Sequence, residues 1–392
     1  GREAVARSAN RADPAVLKGK GTARMNRILD FSESDRLVRC QAGVVTQTLQ
    51  DFAEDRGLFY PVDFASAGSS QIGGNISTNA GGIKVIRYGL TRDWVAGLKV
   101  VTGAGEVLDC NQGLIKNATG YDLRHLFIGA EGTLGLVVEA QMRLAKAPAP
   151  QQVMVLGVRA FPDILKVLGA FQSGLTLSAF EFFSEMALTK VLAHRDLQRP
   201  LADPAPFYAL LEFDETDLET AMAVFERTVE EGWVTDGVLS QSEGQAADLW
   251  ALREGISESI ASYTPYKNDL SVRIAFMPEF IEEVDTLVAS SYPDFEVCWY
   301  GHIGDGNLHL NILKPAELAG ETFYERCHAI SPKIFEAVRK RDGSISAEHG
   351  VGLLKRDFLG FTRSEADMAI MASLKRVFDP NRVMNPGKLL PG

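Results

Sequence analysis

Apolar and polar positions take on a regular pattern after residue 24. In "MNRILDFSESDRLVRCQAGVVTQTLQDFAEDRG" an alternating run over 37–42 predicts a strand, and the spacing that follows predicts an amphipathic helix ending near Gly57. Farther on, "WVAGLKVVTGAGEVLDC" predicts two strands joined by a Gly-rich turn, and "GTLGLVVEAQMRLA" predicts another. The run "KAPAPQQ" interrupts the pattern and marks a domain boundary. Beyond it, "QVMVLGVRAF", "LSAFEFFS", "FYALLEF" and "SVRIAFM" read as strands. "FPDILKVLGAFQS", "ETAMAVFERTVEE", "AADLWALREGISESIASY" and "MPEFIEEVDTLVASS" read as helices. That order predicts an α+β unit, an antiparallel sheet with helices on one face. Two further helices follow, at "ETFYERCHAISPKIFEAVRKRDG" and "TRSEADMAIMASLKRVF", before Pro380 and Pro386 end regular structure. The expected domains are 1–147, 148–345 and a C-terminal segment 346–392.

One stretch concentrates chemistry. In "WYGHIGDGNLHLNIL" two of the chain's six histidines, His302 and His309, flank Gly-Asp-Gly-Asn. Asp-Gly signals a two-residue type I′ turn. With Asp305-Gly306 as the turn, His302 faces His309, with Cβ atoms about 4.5–5.5 Å apart. Tyr300 and Asn311 then share that face. Such a pair can grip a metal ion. "SISAEHGVG" adds Glu348 and His349, adjacent residues that point to opposite sides of an extended segment. His302, His309 and Glu348 form a set suited to a divalent ion with an open position, zinc or else manganese or cobalt.

The formal charge of −11 argues against nucleic acid or an anionic membrane as principal partner. Four widely spaced cysteines without a CxxC predict a reducing, cytoplasmic setting, and no apolar run reaches the length of a transmembrane segment. The loop "SAGSSQIGGNISTNAGG" can bring backbone N–H groups close to a phosphate, yet it is neither GxGxxG nor a P-loop. Arg253 and Ser257, four apart on a predicted helix, and Lys267 beyond a Pro-containing turn offer groups for carboxylates.

Taken together, "GSSQIGGNISTNAGG", "RYG", "NATGYDL" and "GAEGTLG" resemble the FAD-binding domain of the vanillyl-alcohol oxidase (PCMH) type. "LWALRE", "YKNDLS", "GHIGDGNLHLNI", "SAEHGVG" and "FDPNRVMNPGKLLP" resemble the C-terminal domain of FAD-linked D-2-hydroxyacid dehydrogenases. The resemblance spans about residues 25–391. It implies FAD held by Gly68, Ser69, Ser70, Gly73, Gly74 and Asn75, then by Thr78, Asn79, Gly81, Tyr88 and Gly89. Asn117, Tyr121, Gly132, Leu134, Gly135 and Asn385 complete the flavin set. It implies metal on His302, His309 and Glu348, substrate on Arg253, Ser257, Lys267 and Asn311, and His349 as general base. The implied reaction oxidises a small D-2-hydroxyacid, D-2-hydroxyglutarate or the shorter D-lactate. Electrons would leave to an electron-transfer flavoprotein or a quinone, and the chain could form a homodimer.

Two other readings compete: a flavin-free metal-dependent hydrolase or lyase, and an inactive hydroxyacid-binding remnant. The resemblance also implies an earlier strand–helix–strand unit with a Pro-x-Gly-Gly-x-Thr loop, which residues 1–24 do not match. The expectation is an N-terminally truncated or frame-altered member that binds FAD poorly.

Overall fold

The computed structural model describes residues 25–390, so the expectations placed on residues 1–24 lie outside it. The chain divides into two compact units. Among the described residues, one comprises 25–84, 88–147 and 348–390; the other comprises 85–87 and 148–347.

The first unit is built on an antiparallel sheet of β1 (Ile28–Ser32), β2 (Leu37–Gln41), β4 (Val95–Thr102), β5 (Val107–Cys110) and β6 (Gly135–Arg143), in the order β1-β2-β6-β4-β5. A two-stranded ladder joins β3 (Leu58–Phe59) to β7 (Ala145–Lys146). Val38 and Cys40 of β2 pack inward with Leu49 and Ala53 of helix Thr46–Glu54 and with Ile72 and Ile76 of helix Ile72–Thr78. Helix Ile72–Thr78 lies within the stretch read as a glycine loop. Its three residues Ile-Gly-Gly hide the helical period, and Asn79 ends it in the left-handed conformation, φ 53°.

The second unit holds a seven-stranded antiparallel sheet. Its strands are β8 (Gln151–Val158), β9 (Leu177–Ser184), β10 (Phe207–Asp214), β11 (Val234–Leu239), β12 (Tyr266–Ser271), β13 (Val297–His302) and β14 (Asn307–Ile312), in the order β11-β8-β10-β9-β13-β14-β12. Helices cover both faces, not one. Phe183 packs with Leu188 and Leu249 of helices Glu185–His194 and Glu243–Glu254. Its neighbour Phe182 meets Phe161 of helix Phe161–Gln172, and on that same side Trp299 donates to Asp285 of helix Met277–Ser291 at 2.6 Å. A strand buried on both sides loses its alternation, which is why every residue of β9 is buried.

The edge strand differs from expectation. "SVRIAFM" is not a strand: Tyr266–Ser271 pairs with β14, whereas Ile274–Phe276 forms a 3₁₀ turn leading into helix Met277–Ser291, with Pro278 in its first turn. The helix predicted over 246–263 breaks at Gly255 into Glu243–Glu254 and Ile256–Ser259. A Cβ at Gly255 would lie 2.6 Å from the Ala251 carbonyl oxygen. Among the described residues no helix is long and apolar enough to cross a membrane.

Candidate active site

In the first unit the glycines form a cleft of about 780 Å³, lined by Gly73, Gly74, Ser77, Glu131, Gly132 and Gly135, among others, with Met384 and Asn385 at its C-terminal wall. A Cβ on Gly73 would lie 2.7 Å from that of Ala42, so this position packs the helix on the strand. A Cβ on Gly74 would meet nothing within 4 Å: its open side is the cleft. Five residues expected to hold the flavin line this space, namely Gly73, Gly74, Gly132, Gly135 and Asn385.

The other expected flavin residues are not among its lining residues. Several build the loop instead. Asn75 donates to Thr46 Oγ1 at 2.7 Å, Ser70 accepts from the Thr46 amide at 2.9 Å, and Asn79 accepts from the Arg92 amide at 3.0 Å. Tyr88 packs edge-on against Phe59 and Trp94, and Leu134 is buried in the core. Asn117 and Tyr121 border a separate hollow, with Tyr121 almost fully exposed.

Sequence reasoning missed Glu131. It takes φ 52°, and its carboxylate accepts the Val351 and Gly352 amides at 2.7 and 2.8 Å while its carbonyl accepts from Asn385 Nδ2 at 2.5 Å. Asp379 performs a similar task. Buried, it accepts from Lys375 Nζ at 2.6 Å and from the Val383 and Met384 amides at 2.9 Å each. Glu348 takes the Gly82 amide at 3.2 Å, and His349 beside it is exposed.

In the second unit the histidine hairpin differs from the type I′ expectation. The connection is four residues long, 303–306; Gly306 has φ 87°, while Asp305 is not among the positive-φ residues. His302 therefore pairs with Asn307, and Tyr300 with His309. The register moved by two residues, an even number, so both imidazoles remain on one face, with ring centroids 5.4 Å apart and planes at 82°. Both are buried.

Around them lies a polar cluster. Glu181 of β9 stands across from His302 and accepts from its Nδ1 at 2.8 Å. Arg253 lies over the Tyr300 ring at 4.7 Å, with one terminal nitrogen 2.8 Å from Glu181 Oε2. That contact lacks hydrogen-bond alignment, and among the described residues Arg253 Nε, its NH2 nitrogen and Asn311 Nδ2 are buried donors without a hydrogen-bond partner. Burial pushes the Tyr300 phenol pKa up, partly offset by the Arg253 charge. Lys267 donates to Ser257 Oγ at 2.9 Å, and desolvation lowers its pKa from 10.5. Arg253 is buried and Ser257 exposed, because the helix breaks between them. The arrangement suits an acidic ligand: buried donors left unsatisfied cost free energy unless a ligand fills them.

Residues 147–389 match the family described as FAD linked oxidases, C-terminal domain, and residues 20–111 match an FAD binding domain. The chain belongs to the FAD-linked oxidase family. It is 61% identical over 368 residues to a D-2-hydroxyglutarate dehydrogenase of Stutzerimonas stutzeri, covering 93% of this chain and 79% of that protein. It is 38% identical over 381 residues to the mitochondrial D-2-hydroxyglutarate dehydrogenase of Bos taurus, covering 94% and 68%. Among solved structures, p-cresol methylhydroxylase with substrate bound superposes with a TM-score of 0.69 at 13% identity, covering 94% of this chain and 78% of the other. That likeness shows the fold: a PCMH-type FAD-binding domain joined to an α+β domain of antiparallel sheet and helices. This FAD-linked oxidase is an FAD-linked dehydrogenase, and the glycine-walled cleft, open at Gly74, fits such a group.

Proposed function

We propose that the chain oxidises D-2-hydroxyglutarate to 2-oxoglutarate, with flavin supplying the hydride acceptor. One observation carries the substrate class: among the described residues, Arg253 Nε and Asn311 Nδ2 are buried donors without a hydrogen-bond partner, beside the histidine pair. In this reading Arg253 and Asn311 hold the carboxylate next to the reacting carbon, and Lys267 with Ser257 holds the distal one. The names of the similar proteins support the same substrate.

His302 and His309, with Glu348 directly beyond the last residue of the second unit, are proposed to hold one divalent ion. Two imidazole nitrogens and a carboxylate oxygen suit zinc, with manganese or cobalt as alternatives. Such an ion lowers the pKa of a bound hydroxyl. His349 receives the hydroxyl proton, a task suited to imidazole near neutral pH. Acceptance of D-lactate, and transfer of electrons to an electron-transfer flavoprotein or quinone, belong to the same proposal.

The test is anaerobic reduction of a dye by the flavin-loaded protein with D-2-hydroxyglutarate, D-lactate and L-2-hydroxyglutarate. Rapid reduction by the first, and at least about tenfold lower kcat/KM for the others, is expected, equivalent to about 1.4 kcal/mol of discrimination. No reduction by any D-2-hydroxyacid would overturn the reading.

A further inference from the structure

Glu181 lies within the apolar strand "LSAFEFFS" and is 1% exposed. Its two oxygens serve different partners, His302 Nδ1 at 2.8 Å and an Arg253 terminal nitrogen at 2.8 Å. An ionised carboxylate only accepts hydrogen bonds. With Glu181 accepting at 2.8 Å, His302 carries its proton on Nδ1 and presents the lone pair at Nε2. His309 has a looser counterpart. Asp269 Oδ1 stands 3.7 Å from His309 Nδ1, beyond hydrogen-bond reach, and accepts instead from Asn307 Nδ2 at 2.8 Å. His309 also packs on Tyr300, ring centroids 4.8 Å apart.

We infer that Glu181 is a positioning residue shared by both halves of the site, setting the His302 ring for a divalent cation while being set in turn by Arg253. The inference rests on the metal-binding reading above. Geometry supports it: Glu181 is directly opposite His302 in the sheet, a rigid placement. Isolated burial of a carboxylate is costly, and here the charge is balanced by the same arginine offered to the substrate. A merely structural ion pair would affect folding without touching the imidazole tautomer. A positioning role makes a sharper statement: Arg253, although no metal ligand, influences metal affinity through Glu181.

The experiment titrates Zn²⁺ into metal-free protein against a chromophoric chelator and records ¹⁵N-histidine spectra. Glu181→Gln should lose about 10–100-fold in Zn²⁺ affinity, the range for removing an outer partner of a metal-bound histidine. Its His302 signal should shift away from the Nδ1–H tautomer. Glu181→Asp, which keeps the charge, should recover part of the loss. Arg253→Met should weaken Zn²⁺ binding several-fold, and the double variant Glu181→Gln/Arg253→Met should be no weaker than Glu181→Gln alone. Glu212→Gln, changing another buried carboxylate of the same sheet, which Trp250 contacts, should leave Zn²⁺ affinity unchanged. If the parent protein binds no Zn²⁺, the metal reading falls and this inference with it. If the parent binds, His302→Ala does not, and Glu181→Gln binds within about twofold of the parent, only the inference is overturned. Should Glu181→Gln fail to fold, the parent spectrum decides: His302 protonated on Nε2 overturns the assignment, and on Nδ1 supports it.

Discussion

His302 and His309 meet on a diagonal of the hairpin, Tyr300 occupying the place directly opposite His309. Diagonal neighbours stand farther apart than opposed ones but share the same face, and here the two rings stand edge to face with centroids 5.4 Å apart.

Metal removal provides the first check. A ligand bound only by the folded state adds about 2.7 kcal/mol when present at a hundredfold excess over its Kd. Chelation should therefore lower the melting temperature of the parent, and Zn²⁺ should restore it. His302→Ala and His309→Ala should show neither change. A melting temperature indifferent to chelator and metal would remove the metal from the proposal.

The dicarboxylate preference depends on Arg253 and Lys267. Arg253→Ala should cost about 1.5–3 kcal/mol in kcat/KM for D-2-hydroxyglutarate, the range for a hydrogen bond to a charged group. Lys267→Met should penalise D-2-hydroxyglutarate more than D-lactate, which has no distal carboxylate. Equal losses on both substrates for Lys267→Met would move that lysine away from the distal group.

Lys267 also predicts a pH dependence. Desolvation lowers its pKa from 10.5, so its charge is lost, as pH rises, before that of an ordinary lysine. The kcat/KM for the dicarboxylate should fall as pH rises through that lowered value. Lys267→Arg should retain its charge and shift the fall to higher pH.

Gly74 separates space from packing. Gly74→Leu meets no atom within 4 Å at Cβ, so the protein should fold, yet the side chain enters the cleft. Flavin absorbance per mole of protein should drop sharply. Gly73→Ala, whose Cβ would press on Ala42 at 2.7 Å, should instead lower the melting temperature by the equivalent of about 1–3 kcal/mol.

Acid should loosen the C-terminal wall of the cleft. Burial alone would push Asp379 up, but hydrogen bonds from Lys375, Met384 and Val383 outweigh it and hold the carboxyl below its ordinary 3.8. A depressed carboxyl contributes stability above its unfolded pKa and loses it as pH falls through the folded value. Melting curves below about pH 4 should therefore converge for the parent and Asp379→Asn. At neutral pH the variant should be less stable by about 1–3 kcal/mol.

Much of this was legible in the chain. The strands at 37–41, 95–102 and 135–143 and the helix at 277–291 stand out because periodicity and turn residues agree. The common face of the histidines survived an error in turn length because strand parity repeats every two residues. Strand Tyr266–Ser271 was hidden because Lys267 and Asp269, on one of its faces, and Asn268, on the other, replace the apolar residues that would signal it. Glu181 was in view as the lone charge in "LSAFEFFS", but its partners come from distant segments. Glu131 was likewise concealed, because its carboxylate meets amides 220 and 221 residues later in the chain.

Those long separations bear on the order in which the molecule is made. Lys375 reaches the Thr133 carbonyl across 242 residues and Asn385 reaches Glu131 across 254, so the cleft acquires that wall from residues synthesised long after its glycines. Contacts that close such long loops form late, and domains largely fold as their residues emerge. The sheet of the first unit must therefore wait, with its glycine cleft unfinished, while some two hundred residues of the second unit are synthesised between its parts. During that interval the cleft stands without its later wall, and surface exposed in such an intermediate is open to aggregation.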